Sequence, residues 1–493
     1  MEDSAKTYKK GLKGIAVFGG LQVYKILLSV LTTKVSAIFL GPSGSGIYGL
    51  ISSTLITVES VICCGLGTSA VKDISQAKAN GDADGIASSY VALNWLLWIT
   101  GLVGTIGVIV FAPQLSKLAF GNTDYQSWFR ILSVTILVNQ LISGQGALLT
   151  GLQQYKLIAR QRIIAGIIGA IVSITCYSLL GINGIIPVIL LTAIINLIVS
   201  LIVIRGIRIK HCRMNLFGAI RTGGPMFKMG VSIGLSYAMS SLAGFIIRAY
   251  IANLSDVATV GLFTASFSLI NTYLGLVFSS IESDYYPRLS ASCANDNEYR
   301  NVMLNEMELL LLLLTPLVAL LIVFAQPVLA IFYSTKFYAA KTIICWSALS
   351  MLIRVPGWAM SIGIISKGDT VLYLKSQIAF IVYQLALNIL GFKYGGLTGL
   401  GISFAISQLF YSAQNYYIQK KKTGITLNHT VMAILALTIV VTFILCLMAT
   451  FVSSSVQYIV GGIICTMTIC FCFKELNKRL PVINYIKTKI IKH

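Results

Sequence analysis

Residues 185–204 read IIPVILLTAIINLIVSLIVI, a run of twenty residues without a single charge. An α-helix of that length rises about 30 Å, the thickness of the hydrocarbon core of a bilayer. Similar runs follow one another along all 493 residues, with short connections between them. Apolar residues make up 56% of the chain and charged ones 11%, too little polar surface for a soluble fold. The sequence therefore predicts an all-α integral membrane protein with about fourteen transmembrane helices.

Lysine and arginine are distributed unevenly between alternate connections. With the N-terminus inside, 28 of the 37 cations fall in cytoplasmic segments and five in outer loops. Because positive residues are retained on the cytoplasmic side of membranes, both termini are predicted to be cytoplasmic. The net charge of +21 is explained by these loops, and nucleic acid is not an expected partner.

The chain also resembles itself at an offset of about 215 residues. Segments 46–50, 159–163 and 181–185 match 261–265, 375–378 and 396–400. The offset spans six helices, an even number, so both halves have the same orientation, as in transporters built from parallel repeats. We therefore expect an N-terminal six-helix bundle, a basic cytoplasmic loop, a second six-helix bundle, and two extra helices with a basic tail, at residues 1–206, 207–227, 228–420 and 421–493.

Four cations fall inside predicted spans: Lys25, Lys34, Arg248 and Arg354. A charge at mid-bilayer costs about 2.5–3.5 kcal/mol even on permissive scales, so such residues normally face protein or a water-filled cavity. Helical periodicity places most of them on stripes of polar residues, and we expect four uncharged side chains to line the same cavity: Gln22, Asn139, Ser236 and Ser350. The alternatives are close helix packing by small residues, internal ion pairs, and, for the two cations nearer the outer surface, snorkelling.

Glu59 is the acidic residue expected to lie well inside a span. One carboxylate cannot neutralise four cations, which favours an anionic substrate bound between the two bundles by Lys25 and Arg354 in particular. Glu59 itself is either a fixed partner of a cation such as Lys25 or a protonatable site that couples transport to an ion. Burial and a nearby cation shift the pKa of a carboxyl group in opposite directions, so the sequence leaves both alternatives open.

Enzymatic chemistry has little support in the sequence. The three histidines, His211, His429 and His493, fall in cytoplasmic segments, so neither a catalytic triad nor a metal cluster is expected. The ten cysteines are scattered, most of them within apolar runs, and suggest buried small residues rather than disulfides. We predict a transporter without catalytic residues, metal or cofactor.

Three segments resemble a known family: LGPSGSGIYGL at 40–50, GLGTSAVKDIS at 65–75 and SDYYPRLS at 283–290. Together with the two six-helix halves, they resemble Wzx-type polysaccharide flippases of the MOP superfamily, which also contains MATE exporters and the lipid II flippase. The resemblance implies export of an undecaprenyl-pyrophosphate-linked oligosaccharide, such as an O-antigen unit, across the bacterial inner membrane by alternating access. It further implies a proton or sodium ion for coupling, and a polymerase and other polysaccharide-assembly proteins as partners.

Three alternatives remain at this point. A lipid II flippase also has fourteen helices and a cationic cavity. A MATE-like exporter of cationic drugs should have carboxylates in its cavity, and one glutamate against four cations disfavours it. A membrane-embedded polymerase or ligase usually has a large periplasmic loop, whereas the outer loops here are short.

Overall fold

The computed structural model describes residues 2–63, 65–207, 209–210, 212 and 214–479, with side chains at all of these except 2–23, 25, 232 and 233. The regular structure of these residues is helical throughout. The α-helices are α1 (Glu2–Cys63), α2 (Leu66–Ala79), α3 (Ala83–Val110), α4 (Ala112–Phe120), α5 (Gln126–Leu132), α6 (Val134–Gly151), α7 (Tyr155–Leu180), α8 (Ile185–Ile204), α9 (Leu216–Leu254), α10 (Val257–Leu269), α11 (Gly275–Ala291), α12 (Asp296–Val323), α13 (Ala325–Phe332), α14 (Lys341–Ser366), α15 (Thr370–Thr423), α16 (His429–Phe451) and α17 (Ser454–Arg479). A π-helical turn (Ile270–Leu274) joins α10 to α11, and short 3₁₀ turns form Gly181–Gly184, Ser292–Ala294 and Thr335–Ala340.

Eleven helical segments in the described part of the chain are long and apolar enough to cross a membrane. The prediction of an all-α, multi-pass membrane protein is confirmed. Three of the segments are interrupted by a glycine. Ile26–Cys63 (38 residues) is interrupted at Gly41, Tyr155–Ile204 (50 residues) at Gly181 and Thr370–Thr423 (54 residues) at Gly396. A straight helix of 50 residues would be about 75 Å long, more than twice the hydrocarbon thickness. Counting each broken segment as two crossings gives the expected fourteen, a number that stays a prediction.

The glycine breaks have a common backbone conformation. Gly41, Gly181 and Gly396 have φ values of 62°, 54° and 55° with strongly negative ψ. This region is open to glycine and costly for residues with a Cβ atom, so glycine allows two helices to follow each other without a long loop. Gly181 and Gly396 are 215 residues apart, the offset of the sequence repeat.

The chain forms two compact units, which we call the N-terminal unit (residues 1–261 with 332–334) and the C-terminal unit (262–331 with 335–493). The boundary between these units falls after α9, because α9 packs on α1, α2 and α3. The division at 207–227 that the repeat suggests stays a prediction. The N-terminal unit has a buried core between α2, α3 and α6, formed by residues such as Leu66, Leu93 and Leu148.

One hydrogen bond recurs in both units at nearly the repeat offset. In the N-terminal unit, Gln161 donates from its side-chain amide to Asn196, with an N···O distance of 3.1 Å. In the C-terminal unit, Gln377 donates to the hydroxyl of Tyr411, also at 3.1 Å. The acceptors are 215 residues apart and the donors 216. The shared contact supports the alignment of Gln161 with Gln377 that the sequence suggested.

In the C-terminal unit, α12 and α14 form the centre. Nearly all residues from 343 to 364 on α14 are buried, and α16 and α17 pack against α12. Neighbouring side chains donate to carbonyl oxygens of α14: the hydroxyl of Tyr299 to Gly363 and the amide of Gln419 to Met360. These contacts fix α14 within the unit because buried donors and acceptors are costly to leave unpaired.

Candidate functional site

The cations predicted in the N-terminal unit lie on α1 and α9. The side chains of Gln22 and Lys25 fall outside the described part of the structure. Lys34 is half-buried on the first half of α1. Arg248 on α9 is also half-buried, and its Nη1 atom donates a hydrogen bond of 2.8 Å to the carbonyl oxygen of Gly244. This bond to the preceding turn of the same helix uses one of the five donors of the guanidinium.

Serines and threonines join α1 to α9. The hydroxyl of Thr57 donates to the carbonyl oxygen of Ser241 at 3.0 Å, and the hydroxyls of Ser60 and Ser241 are 2.6 Å apart. The sequence stripe on α9 contains Ser236, which is half-buried, but the bonds to α1 are made by Ser241. Helix packing by small polar residues therefore accounts for part of the polarity of α9.

Glu59 meets a partner that the sequence placed on another helix. Asn139 of α6 donates to Oε2 of Glu59 at an N···O distance of 3.2 Å. Among the described residues, no cation forms an ion pair with Glu59. The structure thus brings together two residues that the sequence analysis named separately, in a contact between α1 and α6.

Gln140 is a residue that the sequence analysis missed. Its side chain is completely buried, and neither its amide nitrogen nor its amide oxygen has a hydrogen-bond partner in the described part of the chain. It lies against the thiol of Cys63, which is one helical turn after Glu59. Buried amides without partners are rare. The sequence has two adjacent amide residues, Asn139 and Gln140, within an apolar helix. The polar stripe of α6 included only Asn139.

Arg354 is half-buried on α14, surrounded in sequence by buried residues. Its Cζ atom lies 5.2 Å from the centroid of the Phe278 ring. No described residue accepts a hydrogen bond from its guanidinium or pairs with its charge. Ser350, one turn earlier, is buried and donates to the carbonyl oxygen of Ser347 on its own helix at 2.6 Å.

That Glu59 is the one acid well inside a span stays a prediction, but two further acidic residues are buried in the polar half of a candidate spanning helix. Glu306 and Glu308 on α12 are also buried within a candidate span. Glu306 pairs with Arg288 at an N···O distance of 2.5 Å, and Glu308 pairs with Arg479 at 2.8 Å. Hydropathy windows hid these acids because they sit at the polar end of a long helix. Both are already paired with cations near the helix ends, so they leave the charge of Arg354 uncompensated.

The described residues contain no cluster of three or more histidine, cysteine or acidic side chains able to hold a metal ion. Of the three histidines, His211 and His493 lie outside the described residues. His429 begins α16, where Asn428 caps the helix.

The fold is similar to those of solved MATE transporters and of a lipid II flippase. An inward-facing multidrug resistance MATE family transporter of the MOP superfamily superposes with a TM-score of 0.68 at 16% identity, covering 80% of this chain and 94% of that one. Lipid II flippase MurJ in an inward closed conformation gives a TM-score of 0.69 at 13% identity, covering 95% and 99%. An outward-facing MATE transporter gives 0.54 at 15% identity, covering 83% and 93%. Identities this low show the fold alone.

The family is shown by the sequence itself. The model of the polysaccharide biosynthesis protein family matches residues 35–342, more than half of the chain. The chain therefore belongs to this family, and the predicted resemblance is confirmed at the level of this family and of the MATE- and MurJ-like fold. No curated protein matches the sequence.

Proposed function

We propose that this protein moves an undecaprenyl-pyrophosphate-linked oligosaccharide from the cytoplasmic to the periplasmic leaflet of the bacterial inner membrane by alternating access. The observation that carries the proposal is Arg354, a half-buried guanidinium within a membrane span that pairs with no acid among the described residues. Membership of the polysaccharide biosynthesis family supports a substrate of that pathway class. The transporter would act beside a polymerase and other polysaccharide-assembly proteins.

The charge of the substrate fits these cations. Placing an unpaired cation in hydrocarbon is costly, and a ligand that brings its own negative charge removes that cost while it is bound. Pyrophosphate offers several acceptor oxygens, and arginine can bind phosphate through two parallel N–H bonds. We assign this role to Arg354. Arg248, Lys25 and Lys34 remain candidate contacts that rest on the sequence pattern alone.

The substrate also has a long apolar tail. The C-terminal unit has an open groove of about 580 Å³ lined by apolar residues of α12 and α17, among them Leu320, Ile463 and Met467. Such a groove can hold a hydrocarbon chain without desolvating polar groups. It is compatible with an isoprenoid lipid.

Cation coupling is assigned to Glu59. Its carboxylate accepts a bond from Asn139, and Gln140, the next residue of α6, is buried beside the thiol of Cys63. Carboxylate and amide oxygens suit a sodium ion, and the same carboxylate can take a proton. Binding of either cation would remove a buried negative charge, which is the energetic basis for coupling a conformational change to an ion.

The principal alternative is transport of lipid II, whose lipid and pyrophosphate are the same. Proteoliposomes with a fluorescent label on the sugar distinguish the two. We expect flipping of an undecaprenyl-pyrophosphate oligosaccharide to be about tenfold or more faster than that of its monophosphate analogue, because one or more charged hydrogen bonds are lost. Lipid II should be flipped slowly. Equal rates for pyrophosphate and monophosphate lipids would contradict the proposal, and preference for lipid II would establish the alternative.

A further inference from the structure

Three aromatic side chains that contact one another, Phe278, Trp358 and Tyr285, lie near Arg354; we call them the aromatic row. The rings of Phe278 and Tyr285 on α11 both contact the ring of Trp358 on α14. The ring centroids of Phe278 and Trp358 are 5.3 Å apart at an interplanar angle of 75°, and those of Tyr285 and Trp358 are 5.7 Å apart at 30°. Arg354 lies at the end of this row, over the Phe278 ring. All three aromatic side chains are buried.

The row is anchored at the end away from the cation. The hydroxyl of Tyr285 donates to the carbonyl oxygen of Ala359 at 3.0 Å, directly after Trp358. Tyr285 and Trp358 are therefore joined by a hydrogen bond to the backbone and by ring contact. Edge-to-face and offset contacts at these distances are favourable and orient the rings relative to each other. Rotation of the Phe278 ring is limited because Trp358 occupies one side of it.

The π-helical turn Ile270–Leu274 lies one turn before Phe278. A π turn inserts one residue and so rotates all following residues by about 100° relative to a continuous α-helix. Asn271 compensates for part of the disturbed hydrogen bonding by donating to the carbonyl oxygen of Phe267 at 2.9 Å. The facing of Phe278 and Tyr285 towards α14 thus depends on this irregular turn.

We infer that Phe278, held by Trp358 and Tyr285, is a positioning residue that presents the guanidinium of Arg354 to an anionic ligand. A guanidinium that stacks on an aromatic face keeps its in-plane N–H donors free for phosphate oxygens. Restricting its motion also lowers the entropy lost on binding. The inference rests on the proposed function, because it assumes that Arg354 binds the pyrophosphate.

It also gives a physical role to the segment SDYYPRLS at 283–290. Tyr285 anchors the aromatic row, whereas Arg288 pairs with Asp284 and Glu306 and joins α11 to α12. Each of these residues therefore acts in the C-terminal unit through neighbouring side chains. Neither touches the ligand in this account.

A double-mutant cycle tests the inference. The full-length protein in nanodiscs is titrated with radiolabelled undecaprenyl pyrophosphate, for wild type, Phe278→Leu, Arg354→Gln and the double variant. We expect Phe278→Leu to weaken binding about threefold to tenfold in the presence of Arg354, as loss of a partly buried cation–π contact would. In the Arg354→Gln background the same change should have less than about a twofold effect, because the two residues act as one unit.

Further variants separate positioning from folding. Phe278→Tyr keeps the ring and should bind like wild type, whereas Phe278→Met fills a similar space without a ring and should behave like Phe278→Leu. Phe410→Leu, whose ring packs on Tyr383 in the same unit, is the control and should leave binding unchanged. An equal effect of Phe278→Leu in both backgrounds would overturn the positioning role alone. Unaltered binding by Arg354→Gln would overturn the assignment of Arg354 to the ligand, and this inference with it.

Discussion

Replacing Gly46 by alanine is expected to separate two helices that are in unusually close contact. A Cβ atom built on Gly46 would lie 1.8 Å from the carbonyl oxygen of Val257, and one built on Gly261 would lie 1.9 Å from that of Pro42. Val257 and Gly261 follow Pro42 and Gly46 by 215 residues, so the two contacts are equivalent under the internal repeat.

The size of the effect follows from the distances. Real Cβ contacts are essentially never shorter than 3.0 Å, so the backbone of α10 or α1 would have to move by more than an ångström. The obstructing atom is a backbone oxygen, which cannot rotate away. Overpacking of this kind costs about 1–3 kcal/mol and sometimes more. An alanine in an open helical position instead stabilises by about 0.4–1 kcal/mol.

The measurement is thermal unfolding of the purified protein in detergent, followed by tryptophan fluorescence. Gly46→Ala should lower the midpoint, and Gly261→Ala should do so to a similar degree. Gly107→Ala is the matched control, because nothing lies within 4 Å of a Cβ atom at this position in α3. It should unfold at or slightly above the wild-type temperature. Indistinguishable midpoints for Gly46→Ala and Gly107→Ala would refute the reasoning from close packing.

Further predictions concern charge. Glu59→Gln should leave the protein folded and inserted but abolish ion-driven export; normal transport by a well-expressed variant would remove the coupling role, and loss of expression would favour a structural one. Lys25→Ala should accumulate lipid-linked precursor on the cytoplasmic side at normal protein levels, measured by fractionation of labelled lipid, whereas poor expression would indicate a role in folding. Asp369 accepts hydrogen bonds from Lys422 and from the backbone of Leu372, which lower its pKa. The ionised form of Asp369 therefore stabilises the fold at pH values above the ordinary pKa of about 4, and this stability is lost as the pH falls through the lowered pKa. Asp369→Asn should reduce the fall of the unfolding midpoint at acid pH. An unchanged plot of midpoint against pH would contradict the assignment.

The all-α membrane class could be predicted from the sequence. Hydropathy summed over about twenty residues measures the free energy of transfer into the bilayer, and that term dominates helix placement. The glycine pattern at Gly181 and Gly396 indicated the repeat because both positions require a backbone that favours glycine. Hydropathy and the glycine pattern depend only on nearby residues in the sequence, so they can be identified without knowing how the helices pack.

Contacts between helices could not be predicted in the same way. The bond from Asn139 to Glu59 joins residues 80 positions apart, and nothing in either helix specifies the other as partner. The pairing of Glu306 with Arg288 likewise could not be predicted, because the two residues are on different helices. The aromatic row beside Arg354 depends on a π turn, for which no sequence periodicity is diagnostic.

The most direct test of the central claim is the initial rate at which proteoliposomes containing Arg354→Gln flip a fluorescent undecaprenyl-pyrophosphate oligosaccharide. Arg130→Gln, at an exposed arginine of α5, is the control for loss of positive charge. At equal protein insertion and with lipid below saturation, the account predicts a rate about tenfold or more below wild type for Arg354→Gln, since charged hydrogen bonds to pyrophosphate are lost. Arg354→Lys should recover part of the rate, because lysine keeps the positive charge but lacks the planar, paired N–H donors of the guanidinium. A rate for Arg354→Gln equal to those of wild type and Arg130→Gln would contradict the claim that this arginine binds the anionic head of the substrate.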